Sequence, residues 1–243
     1  AGFVEGESYW NEPFDNNDGI AQYYVKYENQ NSEITVGSFY EQFGNGLIFR
    51  AWEDRQLGIN NSLRGIRYKF NPSNEVQISG IHGKQRFGFE YSNSVISGID
   101  SNIDISEILK LNNLGFNFGL SHLNRYQKLN AGFGEPENVQ ITGARFDLFY
   151  KDFYVNAELA KKSKDVIANE GEILSQRKYD GTALQIDFGY SRKGLGINST
   201  LRRLENFNFY SDKLAEGNIY NQQTLSFVPA LTKQQDYLLT NIY

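Results

Sequence analysis

The stretch Val139 to Lys161, VQITGARFDLFYKDFYVNAELAK, decides the fold. Read in steps of two, Thr142, Ala144, Phe146, Leu148 and Tyr150 fall on one face, and Gly143, Arg145 and Asp147 fall on the other. After Lys151-Asp152 the alternation resumes. Phe153, Val155, Ala157 and Leu159 take the apolar face, and Tyr154, Asn156 and Glu158 the polar one. Successive side chains of a strand point to opposite faces, so two period-two runs with a two-residue joint make a β-hairpin. Runs of about ten residues also have the length of a tilted strand that crosses a bilayer.

The same alternation recurs along the chain. Residues 20–29 set Ala21, Tyr23, Val25 and Tyr27 against Gln22, Lys26 and Glu28. Residues 33–42 set Ile34, Val36 and Tyr40 against Thr35 and Gly37. Residues 62–70 set Ile66, Tyr68 and Phe70 against Gly65, Arg67 and Lys69. Further strands are read at 75–82, 85–91, 114–122, 182–191, 194–203 and 236–243. The stretch 92–113 leaves the parity open, because 104–111 reads equally as a strand end or a short helix. The count is about twelve, and an even number is expected of a single-chain bacterial barrel. Short turns (29–32, 71–74, 151–152, 192–193) alternate with long connections (43–61, 123–137, 162–181, 204–235). Outer-membrane barrels sort their loops in this way, with short turns on one side and long loops on the other.

Composition agrees with an all-β chain. Among 243 residues there are 18 Phe, 16 Tyr and 23 Gly but only 4 Pro and no Cys. Aromatic residues suit strands, and Gly and Asn suit turns. Without Cys there is no disulfide framework and no thiolate chemistry. The net charge of −5 is scattered with no basic stripe, which speaks against nucleic acid as a partner. No apolar run approaches the roughly 18 residues of a membrane helix. A mean hydropathy of −0.54 still allows a membrane barrel, whose strands are only half apolar. The opening AGFVEGESYW has neither an initiator Met nor a basic-plus-apolar leader and reads as a processed or partial chain.

Alternation by itself does not say which face is inside. Strand length, aromatic density and loop sorting select the expectation: one antiparallel transmembrane β-barrel over 1–243, continuing outside the chain or closed within it. The other reading is a soluble or surface β-sandwich that binds glycan, whose apolar face would be the inner one. The segment GSFYEQFGNGLIFRAWEDRQLGINNSLRGIRYKF (37–70), together with the Asn/Tyr/Phe/Lys-rich composition, resembles outer-membrane β-barrel proteins of Bacteroidota, including families without an assigned function. The resemblance implies the outer membrane of a Gram-negative bacterium, contact with its lipid and lipopolysaccharide, and other envelope proteins as partners. With no plug domain or energy-coupling box in view, a TonB-dependent transporter is disfavoured.

The chemistry-bearing residues fall into three groups. Arg50, Trp52, Glu53, Asp54 and Arg55 lie between two strands. They are candidates for a luminal constriction, together with Arg67, Arg145, Asp147, Asp187 and Arg202 on the polar faces. Structurally, the same loop would only be pinned by ion pairs to Arg67 and Arg145. Tyr23, Tyr27, Tyr40, Tyr68, Tyr150, Phe153 and Tyr190 are candidates for the aromatic girdles that mark membrane interfaces. His82 and His122 sit in no recognisable hydrolase or metal motif, and Ser121 points away from His122 by strand period. Gly44/Gly46 and Gly194/Gly196 make no phosphate loop, and Asp15, Asp18, Asp100 and Asp104 lack calcium-loop spacing. No enzyme and no cofactor are expected. The expected role is a structural or docking subunit of an envelope assembly whose loops partly fill the lumen, with a narrow porin-like solute channel as the alternative.

Overall fold

The computed structural model describes residues 1–8, 18–54, 59–128, 136–169, 172–213 and 225–227. The elements in chain order are β1 (Gly2–Ser8), β2 (Asp18–Glu28), β3 (Ser32–Phe39), β4 (Gln42–Phe43), β5 (Phe49–Arg50), β6 (Glu53–Asp54), β7 (Ile59–Asn60), β8 (Leu63–Ser73), β9 (Val76–Phe87), β10 (Glu90–Tyr91), β11 (Val95–Asp104), α1 (Ile105–Ile108), β12 (Gly115–Tyr126), β13 (Asn138–Tyr150), β14 (Phe153–Asn169), β15 (Glu172–Arg192) and β16 (Leu195–Glu205). One antiparallel sheet of 12 strands runs β1-β2-β3-β8-β9-β11-β12-β13-β14-β15-β16, with the short β10 attached to β9. Each long strand pairs with its long neighbours in sequence, the simplest antiparallel order.

The opening hairpin forms as read: Tyr150 pairs with Phe153 and Phe146 with Ala157 across the Lys151-Asp152 turn. Lys151 takes φ 51° there, the left-handed conformation that such two-residue turns require. The open stretch 104–111 resolves as strand end followed by one helical turn, because the Asp104 side chain accepts from the Glu107 N–H at 3.0 Å and caps the turn.

Two expectations are corrected. Residues 162–181, read as a long charged connection, instead continue β14 and β15 as a ribbon that narrows the connection to 170–171. A ribbon with charges on both faces shows no apolar alternation, so the period-two signal vanishes although the backbone stays paired. The chain also starts with a strand, β1, paired with β2, which the sequence reading did not contain. The strand read at 236–243 lies outside the described residues.

The sheet is inverted relative to a water-soluble sandwich. On one face sit Val25, Val36 and Ile66, which are register partners across three strands and are 67%, 49% and 46% exposed. Ile99, Leu120, Phe146, Leu159 and Leu201 continue this exposed apolar band. On the opposite face the polar Thr35, Asp100, Ser121, Arg145, Glu158 and Gln185 are all buried. Their cover is an inner segment, residues 39–51, which touches β2, β8, β11, β13 and β14. One short segment meets strands so far apart in the order only because the sheet curls around it. The apolar core lies inside the curl: Phe43, Leu47, Ile48, Phe49, Leu63, Ile96, Leu123, Ile141, Phe209 and Leu225 are almost fully buried.

Candidate functional site

The filled interior is the candidate site, and it is built in layers. The apolar layer is a tight turn of the inner segment, with β4 and β5 paired through Gln42 to Arg50 and Phe43 to Phe49. The Phe43 and Phe49 rings meet edge to face at 5.3 Å. Glycines in the wall make room for this layer. A Cβ on Gly143 would stand 2.4 Å from Ile48 Cδ1, so the missing side chain is the socket into which Ile48 fits.

Next to this layer lies a charged one. Arg145 on β13 reaches across β12 to Asp100 on β11 and binds it through two bonds, Nη1 to Oδ1 at 2.7 Å and Nη2 to Oδ2 at 3.0 Å. Ser121 on the intervening strand donates to Asp100 Oδ1 at 2.5 Å and accepts from Arg145 Nη1 at 2.8 Å. The reach is possible because Gly119 faces Arg145 in the register, and a Cβ there would lie 2.5 Å from the guanidinium carbon. Gly44 of the inner segment, at φ +53°, covers the same side chain from the other side. The inner segment is tied to the wall by Asn45, whose N–H donates to Glu158 Oε2 at 3.1 Å and whose side-chain amide donates to Asn156 Oδ1 at 2.7 Å.

A second charged group sits under β2, β3 and β8. Arg67 pairs with Glu33, donates to the Tyr40 carbonyl at 2.8 Å and lies 3.7 Å from Glu41, while Lys69 pairs with Glu41 at 2.8 Å. Glu41 and Asn45 therefore pin the inner loop, at its start, to wall residues. The expectation from sequence is that the charges of 50–55 pair with Arg67 and Arg145; the contacts seen are made by Glu41 and Asn45 instead.

Of the constriction candidates, Arg50 stacks its guanidinium 5.0 Å from the Trp52 ring and 4.1 Å from the Phe227 ring, inside the loop cluster. The Trp52 N–H donates to Asn61 Oδ1 at 2.6 Å, and Asp54 pairs with Ile59 in the β6–β7 ladder. Glu53 lines a cavity of about 410 Å³ with Phe3, Gln22, Tyr24, Tyr40 and Arg67. Arg67 and Arg145 occupy the two charged groups just described. Asp147 accepts from Asn156, Asp187 accepts from Gln185 and Thr200 at 2.8 and 2.6 Å, and Arg202 is partly buried on β16. Arg55 lies outside the described residues. The nine described candidates are thus not brought together as one ring. The residues that complete the Arg145 group, Asp100, Ser121, Glu158 and Asn45, were not chosen from sequence. The signal available was the inward Gly, Ser and Asn set opposite an apolar face.

The aromatic candidates divide. Tyr27, Tyr68, Tyr150 and Phe153 are exposed near the short-turn end, and Tyr190 packs 4.6 Å from Phe153. Tyr23 lies on the apolar face under Arg64, at 4.8 Å. Tyr40 is a correction: its ring points inward and its hydroxyl meets Gln22, because the chain leaves the β3 ladder at Phe39 and turns into the interior. Burial, and then the Glu53 carboxylate, push the Tyr40 hydroxyl above its ordinary value. The histidines lie on the outer face, each with its Nδ1 at 2.8 Å from a hydroxyl on a neighbouring strand, His82 from Ser97 and His122 from Thr142. Among the described residues there is no group of three or more His, Cys, Asp or Glu that could hold a metal.

Residues 6–243 match the model of the Family of unknown function (DUF6029), and the chain belongs to that family. No curated protein matches. Among solved structures, the chain is similar to Acinetobacter baumannii OccAB3, with 12% identity, a TM-score of 0.38, and coverage of 78% of this chain and 72% of that one. It is also similar to Pseudomonas aeruginosa OccK2 (OpdF) in complex with glucuronate, with 10% identity, a TM-score of 0.37, and coverage of 78% and 77%. At so low an overlap of backbone, neither likeness bears on what this chain does.

Proposed function

We propose that this member of the family is an outer-membrane β-barrel of a Gram-negative bacterium, closed by its own inner loop, serving as a non-enzymatic structural or docking subunit of an envelope assembly. The observation that carries the reading is the inversion of the sheet. A band of exposed Val, Ile, Leu and Phe crosses the outer face, while bidentate Arg145–Asp100 and buried Glu158 sit inside. In water an apolar surface that continuous is unfavourable at about 25 cal/mol per Å². Facing hydrocarbon it is not, and the polar groups then belong in the interior. Tyr and Phe near the short-turn end suit the lipid headgroup level.

The docking role is supported by the filling of that interior. Phe43, Leu47, Ile48 and Phe49 are almost fully buried between the walls, as in a folded core rather than a wet passage. Lipid and lipopolysaccharide would contact the outer face, and other envelope proteins the long-loop end. A narrow solute channel is the second reading. It is favoured by the cavity of about 410 Å³ beside the inner loop, which mixes aromatic and charged walls.

Planar-bilayer conductance of the detergent-purified protein, with insertion checked by protease protection, separates the two. Silence from inserted protein, with envelope proteins co-purifying after mild cross-linking, is the expected result. Steady ohmic current would favour the channel. A protein that stays monodisperse in plain buffer and does not insert would overturn both.

A further inference from the structure

A second cavity, of about 290 Å³, lies away from the Arg145 group, where the β14–β15 ribbon meets β12 and residues 204–213. Among the described residues its lining includes Arg125, Lys162 and Lys213 and the carboxylate of Asp165. All four side chains are at least nine-tenths buried. Asp165 is shared, with Oδ2 3.6 Å from Arg125 Nη2 and Oδ1 against the Lys213 ammonium. Arg125 also donates to the Tyr210 carbonyl at 3.0 Å. Lys162 donates to the main-chain carbonyl of Asn208 at 2.8 Å, and the Arg125 guanidinium lines the same cavity. An ammonium buried against a neutral carbonyl and a neighbouring cation is costly unless an anion joins it.

The backbone is shaped to produce this arrangement. Residues three apart on a regular strand point to opposite faces, yet Lys162 and Asp165 are both buried in one cavity. The β14–β15 register shifts between Lys162 and Asp165, and again between Asp165 and Ile167, which is how both side chains turn inward. Opposite Lys162 stands Gly181, where a Cβ would lie 3.0 Å from Lys162 Cε and 2.4 Å from the Asn206 carbonyl, so this wall is thinned to admit the lysine.

We propose that the cavity binds a small oxyanion, a phosphate monoester in particular, with Lys162 and Arg125 as its charged contacts and Asp165 holding Lys213 and Arg125 in place. A buried lysine whose hydrogen bond goes to a neutral carbonyl, with a guanidinium lining the same cavity, favours an anion, and the volume suits a group larger than a bare ion. The site does not depend on the barrel reading, because its geometry is the same whether the outer face meets lipid or not. The phosphate could belong to a soluble ester or to a lipid headgroup.

The test is equilibrium binding by calorimetry on the full chain in an uncharged maltoside detergent and phosphate-free buffer. Glycerol 3-phosphate probes the free ester, and phosphatidic acid doped into the micelles probes the headgroup. Saturable uptake in one arm, weakened at least tenfold by Lys162→Gln and retained by Lys162→Arg, supports the proposal, and the arm that saturates identifies the source. If Lys162→Gln does not fold, the unfolding midpoint of the unaltered protein decides: a rise that saturates with either probe supports the site. No saturable binding in either arm, no rise in midpoint, or binding indifferent to Lys162→Gln would overturn it.

Discussion

Arg145 and Asp100 face each other from strands that are not neighbours, and their two parallel bonds of 2.7 and 3.0 Å cross over the β12 strand between them. The pair is buried, with Ser121 bonded to both members. Removing one partner leaves the other charge uncompensated, which is worth roughly 3–5 kcal/mol. Arg145→Ala should therefore lower the urea midpoint of the folded protein in detergent by that order. Replacing both partners with Leu should be markedly milder than either single change. A single and a double variant of equal stability would show that the pair does not hold the wall.

Gly119 should act through the same pair. A Cβ there would meet the guanidinium of Arg145 at 2.5 Å, so Gly119→Ala must push Arg145 off its line to Asp100. The expected loss is about 1–3 kcal/mol. In the Arg145→Ala background the same substitution should cost little, because the obstructed side chain is gone. Additive losses would mean that Gly119 is needed for another reason.

The outer face gives the sharpest contrast between lipid and water. Leu120 and Leu159 are 49% and 56% exposed in the middle of long strands. Leu159→Arg should cost about 2–4 kcal/mol when the protein folds into lipid vesicles, the depth-dependent penalty of a barrel's outer face. At a water-facing site the same change would fall within roughly ±0.5 kcal/mol. Folding yield into vesicles, read by heat-modified gel mobility, distinguishes the two values.

The inner loop should behave as core. Phe43 is fully buried and packs edge to face on Phe49. Phe43→Ala should destabilise by roughly 3–5 kcal/mol. If the bilayer current stays silent in the intact protein, the same variant should raise the frequency of brief openings. A variant with unchanged stability would place residues 43–49 outside the cooperative core.

Tyr40 supplies a pH dependence. Its hydroxyl is held protonated above its ordinary value, chiefly by burial. The folded state therefore retains a proton that the unfolded chain gives up. Stability is complete below the ordinary tyrosine value of 10.0 and falls as pH rises beyond it. Tyr40→Phe should flatten that alkaline fall in a urea titration, whereas an equally steep fall would assign it to other groups.

Much of this architecture was legible in the chain because a strand has a period of two. Thr142 to Tyr150 and Phe153 to Leu159 name their own faces, and the Lys151-Asp152 joint names the turn, with no reference to anything distant. The same reading placed Arg67, Arg145, Asp147 and Asp187 on one polar side, where the structure has them. It failed where the periodic signal was missing: at β1, and along 162–181, where a ribbon carrying charge on both faces pairs its backbone without an apolar stripe. It also failed at Tyr40, which the alternation set outward although the strand had already ended.

What the sequence determined by itself, then, is the strands that carry an apolar stripe and the side of each that is apolar, since both follow from local geometry. Which side is inside was decided by the tertiary structure, because alternation is symmetric and only the curling of the sheet around residues 39–51 breaks the symmetry. The pairing of Arg145 with Asp100, the sockets at Gly119 and Gly143, and the inward turn of both Lys162 and Asp165 were decided there too. Each depends on register between strands, or on a bulge within one, and register is a relation between distant segments that no single stretch of chain contains.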